Sequence, residues 1–245
     1  MLPMRRQLPT MPDHRVVSRR AWLEARKAHL TREKELTRRR DALAAERRAL
    51  PWVRVKKRYV FHGPEGEESL PELFDGRSQL IVQHFMFGPG WTEGCVGCSF
   101  QADHIDGAAV HLAHRDVTVV VVSRAPLPRI EAFKRRMGWR FKWVSSHESD
   151  FNYDYHVAFR KEDLARGKVF YNYELRELQS EDLPGISVFY RDSAGEVYHT
   201  YSSYARGDEL LIGTYNYLDL VPKGRDETGA SPPMAWVRHH DRYEN

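Results

Sequence analysis

The chain has 245 residues, 41% hydrophobic and 12% aromatic, which is enough apolar material for a buried core. It contains no apolar run of about eighteen residues, which excludes a membrane-spanning helix. The opening MLPMRRQLPTMPDHR lacks the apolar run and small-residue cleavage site of a secretory signal, so a cytoplasmic location is expected. The net charge of +4 is unevenly spread. Residues 1–58 carry 18 Lys and Arg against 6 Asp and Glu, which leaves the remainder at −8. A basic arm beside an acidic body suits acidic partners, but its basic residues alternate with Glu, which favours a solvated or self-paired face over a nucleic-acid surface.

Residues 1–16 hold three prolines and no periodicity, and read as an extended arm. From Ser18, a candidate N-cap, the chain runs without Gly or Pro to Pro51 and is rich in helix formers. One long helix is predicted over 18–49. Its apolar positions Leu23, Leu30, Leu36, Leu43 and Leu50 form a narrow stripe, closer to a pairing seam than to a core face. A homodimer through residues 18–49 is one reading, and packing on the same chain is the other.

VRVKKRYVFHGPEG alternates like an edge strand, and SLPELFDGRS reads as a short helical turn. QLIVQHFMF (79–87) has the apolar density of a central strand. After a glycine-rich loop, SFQADHIDGAAVHLAHRD places Phe100, Ile105, Ala109 and Leu112 on one helical face. VTVVVVSRA (117–125) is the strongest strand signal. PLPRIEAFKRRMGW reads as a helix with Pro near its start and Gly138 at its end, and FKWVSS as a further strand. This β–α–β–α–β order predicts parallel strands with right-handed crossovers. Residues 147–183 read as an insertion with one strand. ISVFYRDSAGEVYHTYSSY reads as a hairpin about Asp192-Ser193-Ala194-Gly195, ARGDELLIGTYNYLDLVP as a closing helix, and 223–245 as a polar tail. The expected organisation is a basic arm and helix over 1–58, an α/β domain over 59–222, and the tail.

Both cysteines, Cys95 and Cys98, lie in FGPGWTEGCVGCSF. A four-cysteine zinc site would need a second such pair, which the chain lacks. A structural disulfide is uncommon in a cytoplasmic protein of this size. The third option, redox chemistry, is favoured, with a metal site or neither as the alternatives. Redox chemistry asks for one thiol at a helix start, where unpaired N–H groups favour the thiolate. Cys95 is then the attacking sulfur and Cys98 the resolving one. Gly94 and Gly97 would allow close approach to the sulfur.

The strings HFMFGPGWTEGCVGCSFQADHIDG, HLAHRDVTVVVVSRAPL, FKRRMGWRFKWVSSHESDFNYDYHV and LPGISVFYRD resemble a bacterial thioredoxin-like family listed as a domain of unknown function. The resemblance covers roughly residues 16–222. It implies a thioredoxin-like α/β fold without fixing a reaction. The wider superfamily places a cis-proline just ahead of the hairpin and facing the cysteine loop, and Pro184 occupies that position. The chain departs from thioredoxin itself in its Val96-Gly97 dipeptide, its insertion and its N-terminal helix, which together suggest a narrower substrate. Peroxiredoxins resemble the site in a Thr three residues before the attacking Cys, where Thr92 stands. Their proline would fall at Gly88, whereas this chain has Pro89. A copper-delivery branch uses two cysteines and a distant His, a part open to His156.

Other candidates carry competing structural readings. Trp91 walls the cysteine pocket or simply packs. Arg124, at the end of the central strand, stabilises a thiolate or anionic substrate, or forms an ion pair. Asp103 and Asp106 assist proton transfer or solvate a helix. His84 lowers a thiol pKa or sits in the core, and His104, His111 and His114 share part of a helical face. GWRFKW only faintly echoes single-strand nucleic-acid binders. No Walker loop, Rossmann fingerprint, nucleophile elbow or zinc-protease helix occurs, and no cofactor is expected. The expected activity is thiol–disulfide exchange or thiol-dependent peroxide reduction. Cys95 and Cys98 carry it, Trp91, Thr92, Gly94, Arg124 and Pro184 form the pocket, and cellular thiols supply electrons. The alternatives are a soft-metal site of Cys95, Cys98 and His156, or a non-catalytic scaffold.

Overall fold

The computed structural model describes residues 14–229 and 233–244. Most of the expected extended arm (1–16) lies outside the described residues. The chain divides into two units, residues 1–50 and 51–245. Among the described residues the first holds one helix, α1 (Arg19–Arg48), opened by Ser18, whose hydroxyl accepts the Ala21 N–H at 3.3 Å. None of its residues is buried, and the five leucines of the stripe are all exposed.

In the second unit the strands are β1 (Val53–Arg54), β2 (Val60–Gly63), β3 (Gly66–Ser69), β4 (Gln79–His84), β5 (Val117–Ser123), β6 (Lys142–Ser145), β7 (Lys168–Tyr171), β8 (Glu174–Glu177), β9 (Gly185–Arg191) and β10 (Val197–Tyr204). The helices are α2 (Val96–Ala102), α3 (Ile105–Ala113), α4 (Leu127–Arg136), α5 (Phe151–Asp154), α6 (Lys161–Ala165) and α7 (Gly213–Leu218). Eight strands form one sheet in the order β1-β10-β9-β4-β5-β6-β2-β3. β4, β5 and β6 run parallel, and β9 pairs antiparallel on the other side of β4. A parallel β–α–β unit flanked by an antiparallel hairpin, with the cysteine loop leaving its central strand, is a thioredoxin-like sheet.

The run of valines in β5 has a physical reason: both faces of the sheet are covered. Leu80, Val82, Val120, Val122 and Val144 join Phe61, Phe74 and Phe189 in one cluster. The alternate positions Val121 and Trp143 join Phe85, Phe133 and Trp139 in another. Period-two alternation therefore feeds two cores. The β9–β10 turn is closed by Asp192, whose Oδ1 accepts the N–H groups of Ala194 and Glu196, both at 2.9 Å.

Three segments differ from expectation. The helix after the cysteines is broken at Asp103 and His104 into α2 and α3. The insertion holds two short helices and a β7–β8 hairpin instead of one strand. Its alternating DFNYDYHVAF is α5 followed by a turn, because Phe151 and Tyr155, four residues apart, turn together into the core. The closing helix is a 3₁₀ segment (Ala205–Leu211) and the short α7. Among the described residues, no helix is long and apolar enough to cross a membrane.

Candidate active site

Cys95 is the N-cap of α2 and Cys98 lies in its first turn. The loop is tied down before the helix begins. The Cys95 N–H donates to the Met86 carbonyl at 3.0 Å, and the Ser99 N–H and hydroxyl both donate back to the Cys95 carbonyl at 2.9 Å. His239 Nε2 meets the Gly94 carbonyl at 3.0 Å. Arg136 and Arg242 clamp Glu93 at 2.8 and 2.7 Å. His239 and Arg242 belong to the segment expected to be a loose polar tail. Its Val237 instead joins Phe100, Ile212 and Tyr215 in a buried cluster.

Both thiols are free; Cys95 is half-buried and Cys98 buried. They line one cleft of about 340 Å³ with Met86, Gln101, Pro184, Asp208, Ile212, Tyr215 and Met234. The two sulfurs are electrically unlike. Cys95 is held down to about 7, first by the Cys98 thiol acting as a hydrogen-bond donor; burial opposes this, and the N–H groups of Cys98 and Gly97 assist. Cys98 is pushed well above the ordinary thiol range, first by its hydrogen bond to Cys95, then by burial and by the charge of Cys95. The Met86 N–H, 3.5 Å from Cys98 Sγ, works against that rise. One sulfur is thus poised as a thiolate and the other holds its proton.

The structure brings Cys95, Cys98 and Pro184 together at this cleft. The other expected pocket residues lie elsewhere. Trp91 packs at the edge of the Phe85–Phe133 cluster, its carbonyl held by Arg129 at 2.9 Å. Thr92 is exposed and does not line the cleft. Gly94 is required by the packing beside it. A Cβ there would stand 2.5 Å from Phe85 and 2.8 Å from Phe133. Arg124 is a buried structural cation: Nε and Nη2 donate to Asp182 at 2.8 and 2.7 Å, and Nη1 to the Tyr153 hydroxyl at 2.7 Å.

Asp103 accepts from Trp139 Nε1 and pairs with His240, both at 2.7 Å. Asp106 receives the Arg140 and Phe141 N–H groups. Neither serves the thiols. His84 is buried against Ser187 at 2.9 Å, and burial lowers its pKa to about 3, so it is neutral. His104 is spent on the Phe100 carbonyl and Thr214. His156 lines a different pocket with Tyr153 and Phe170. Among the described residues, no three His, Cys, Asp or Glu side chains gather as a metal site. The soft-metal set of Cys95, Cys98 and His156 is therefore not assembled.

Sequence reading missed Asp208, Ile212, Tyr215 and Met234. The first three fall in the expected closing helix, and Met234 in the expected polar tail. The DEL of ARGDELL carries no signal that one carboxylate turns inward. Glu227 organises this wall by accepting from the Tyr215 hydroxyl, Trp236 Nε1 and the Met234 N–H at 2.8, 2.7 and 3.1 Å.

Several solved structures are similar in path at low identity. A PrxQ mutant from Xylella fastidiosa shares 11% identity over 65% of this chain and 88% of its own, with a TM-score of 0.41. The peroxidoxin BcpB from Mycobacterium tuberculosis shares 13% over 67% and 95%, also at 0.41. The mitochondrial 2-Cys peroxiredoxin from Plasmodium falciparum shares 14% over 74% and 96%, at 0.38. Likeness at this level does not transfer an activity. No curated protein matches the sequence. A family model does, across residues 11–243 and so across both units, and the chain belongs to the family described as bacterial protein of unknown function, DUF899.

Proposed function

We propose that this protein is a thiol–disulfide oxidoreductase acting through Cys95 and Cys98. The observation that carries the reading is the placement of both sulfurs in one apolar cleft, with Cys95 favoured as thiolate and Cys98 as thiol. The Cys95 thiolate attacks one sulfur of a substrate disulfide. The substrate S–S bond breaks, and the first thiol leaves with a proton from water. Cys98 then loses its proton, attacks Cys95 Sγ and releases the second thiol. The substrate gains two electrons, and the cysteine pair becomes a disulfide that a cytoplasmic dithiol reduces by the reverse exchange.

Peroxide reduction is the second reading. It uses the same sulfurs, with a Cys95 sulfenic acid resolved by Cys98. The positions of Thr92 and Arg124 favour the disulfide reading, because neither lines the cleft beside Cys95 and Arg124 is paired with Asp182. The deciding experiment is stopped-flow oxidation of the reduced protein by a small disulfide and by hydrogen peroxide. Loss of two thiols per chain with the disulfide, abolished in Cys95→Ser, is expected. A reduced protein that neither oxidant converts to the Cys95–Cys98 disulfide would overturn the proposal. The exposed leucine stripe of α1 supports a homodimer through residues 18–49. Sedimentation of the full chain and of a Leu30→Lys, Leu43→Lys variant tests that pairing.

A further inference from the structure

We propose that the cleft selects a small disulfide bearing a cationic amine on an apolar stem, and that Asp208 is the counter-ion that receives the amine. This rests on the thiol–disulfide reading and names its substrate class.

Asp208 is only 5% exposed and lines the same cleft as both thiols. Among the described residues, neither of its carboxyl oxygens has a hydrogen bond of good geometry, and the nearby Ser203 hydroxyl only tempers the group. An unsatisfied buried polar group is costly, and more so when charged. A group kept at such a cost calls for a partner that arrives from outside. Burial pushes this carboxyl up to about 7, and the Ser203 hydroxyl only partly offsets that rise.

The surroundings make the vacancy specific. The next residue, Glu209, also lines the cleft but is already neutralised by Arg206 at 3.2 Å and Arg225 at 2.8 Å. Arg206, which also lines the cleft, is exposed and directed to Glu209, Arg225 is shared between Glu209 and Asp219, and neither pairs with Asp208. The backbone fixes this arrangement. Ala205 adopts φ 51°, a conformation few L-residues adopt, and its N–H donates to the Tyr171 hydroxyl at 3.1 Å. At Gly207 a Cβ would collide with the Ser203 hydroxyl.

Met86, Pro184, Ile212, Tyr215 and Met234 supply apolar walls for methylene groups. The size suits a small molecule more than a protein loop. An ammonium offers three donors and no acceptor, and its bond to a carboxylate is charge-assisted. An acidic disulfide would instead bring carboxylates toward Asp208 and the Cys95 thiolate. The redox step is the balanced exchange described above, with an aminothiol as each leaving group.

The test uses reduced full-length protein and three disulfides: cystamine (cationic), bis(2-hydroxyethyl) disulfide (neutral) and glutathione disulfide (anionic). Second-order rates of Cys95 oxidation are divided by those of free N-acetylcysteine, which removes leaving-group differences. The normalised cystamine-to-neutral ratio is expected to exceed about tenfold and to fall about tenfold in Asp208→Asn, with glutathione disulfide the slowest. An unchanged ratio overturns the proposal. So does equal slowing of all three, which would make Asp208 a proton acceptor for Cys98. A second arm needs neither turnover nor the Asp208 variant. The Cys95→Ser, Cys98→Ser protein should bind hexylamine saturably in calorimetry and bind hexanol more weakly. Equal binding of the two, or none, overturns the assignment. If no disulfide oxidises the wild type, the redox reading fails and this amine arm alone decides the role of Asp208.

Discussion

The Tyr171 phenol donates a 2.9 Å hydrogen bond to the Pro184 carbonyl and accepts the Ala205 N–H at 3.1 Å. Pro184 and Ala205 both line the thiol cleft, whereas Tyr171 comes from the inserted β7–β8 hairpin. The insertion is therefore a brace between the two backbone segments that face the cysteines. Removing the hydroxyl strands a donor and an acceptor at once. Tyr171→Phe is expected to cost about 1–3 kcal/mol of stability, seen as a lower denaturant midpoint, and to slow oxidation of Cys95 while leaving its alkylation rate near wild type. An unaltered midpoint would remove the brace.

Cys95 should react with iodoacetamide as a thiolate, its rate rising through a midpoint near pH 7 instead of the ordinary thiol value. Because the largest contribution comes from the Cys98 thiol, Cys98→Ala should move that midpoint upward. Mass spectrometry after pulse labelling distinguishes the two sulfurs. A midpoint that stays put in the variant would show that the backbone N–H groups alone hold the anion.

Asp208 gives stability a defined pH dependence. Its folded pKa, about 7, lies above the unfolded value of about 3.9. The unfolded state therefore loses this proton first. The contribution is fully present below about pH 4 and is lost as the pH rises through about 7. The nearby Tyr171, Tyr204 and Cys98 are all raised by burial or by their partners and stay protonated across that window. Asp208→Asn, which mimics the neutral acid, should melt higher than wild type at pH 8, and the gap should close near pH 4. Calorimetric melting curves at both values check it.

The Arg124–Asp182 pair is bidentate and almost wholly buried, and Asp182 lies two residues before Pro184. Arg124→Ala would leave a carboxylate uncompensated in the interior, a loss of about 3–5 kcal/mol. Arg124→Met with Asp182→Leu should recover most of it, because no charge is then left behind. Urea midpoints of the single and double variants test this, and a double variant as weak as the single would contradict it.

Gly94→Ala places a methyl group against Phe85 and Phe133 at 2.5 and 2.8 Å. Overpacking of this kind costs about 1–3 kcal/mol. The expected result is a lower melting temperature with Cys95 still alkylated, since the glycine packs against the core.

The sequence by itself made several local features legible. Helix formers without Gly or Pro made α1 readable, the valine run made β5 readable, and the spacing of Cys95 and Cys98 placed one at a helix start and the other in its first turn. Pro184 was legible only through the superfamily resemblance; the other features follow from periodicity, propensity and capping, which act over a few residues.

Only the tertiary structure decided which polar groups find partners. Arg124 meets Asp182 across 58 positions, and His239 meets the Gly94 carbonyl across 145. No local rule encodes such pairings. The same holds for Asp208 and Glu209, neighbours in a charged run that look equivalent in the chain. One is neutralised by two arginines and the other turns, unpaired, into the space beside the thiols. Burial and charge compensation are properties of the packed whole, so the difference between a solvated acid and a candidate binding group appears only once the chain has folded.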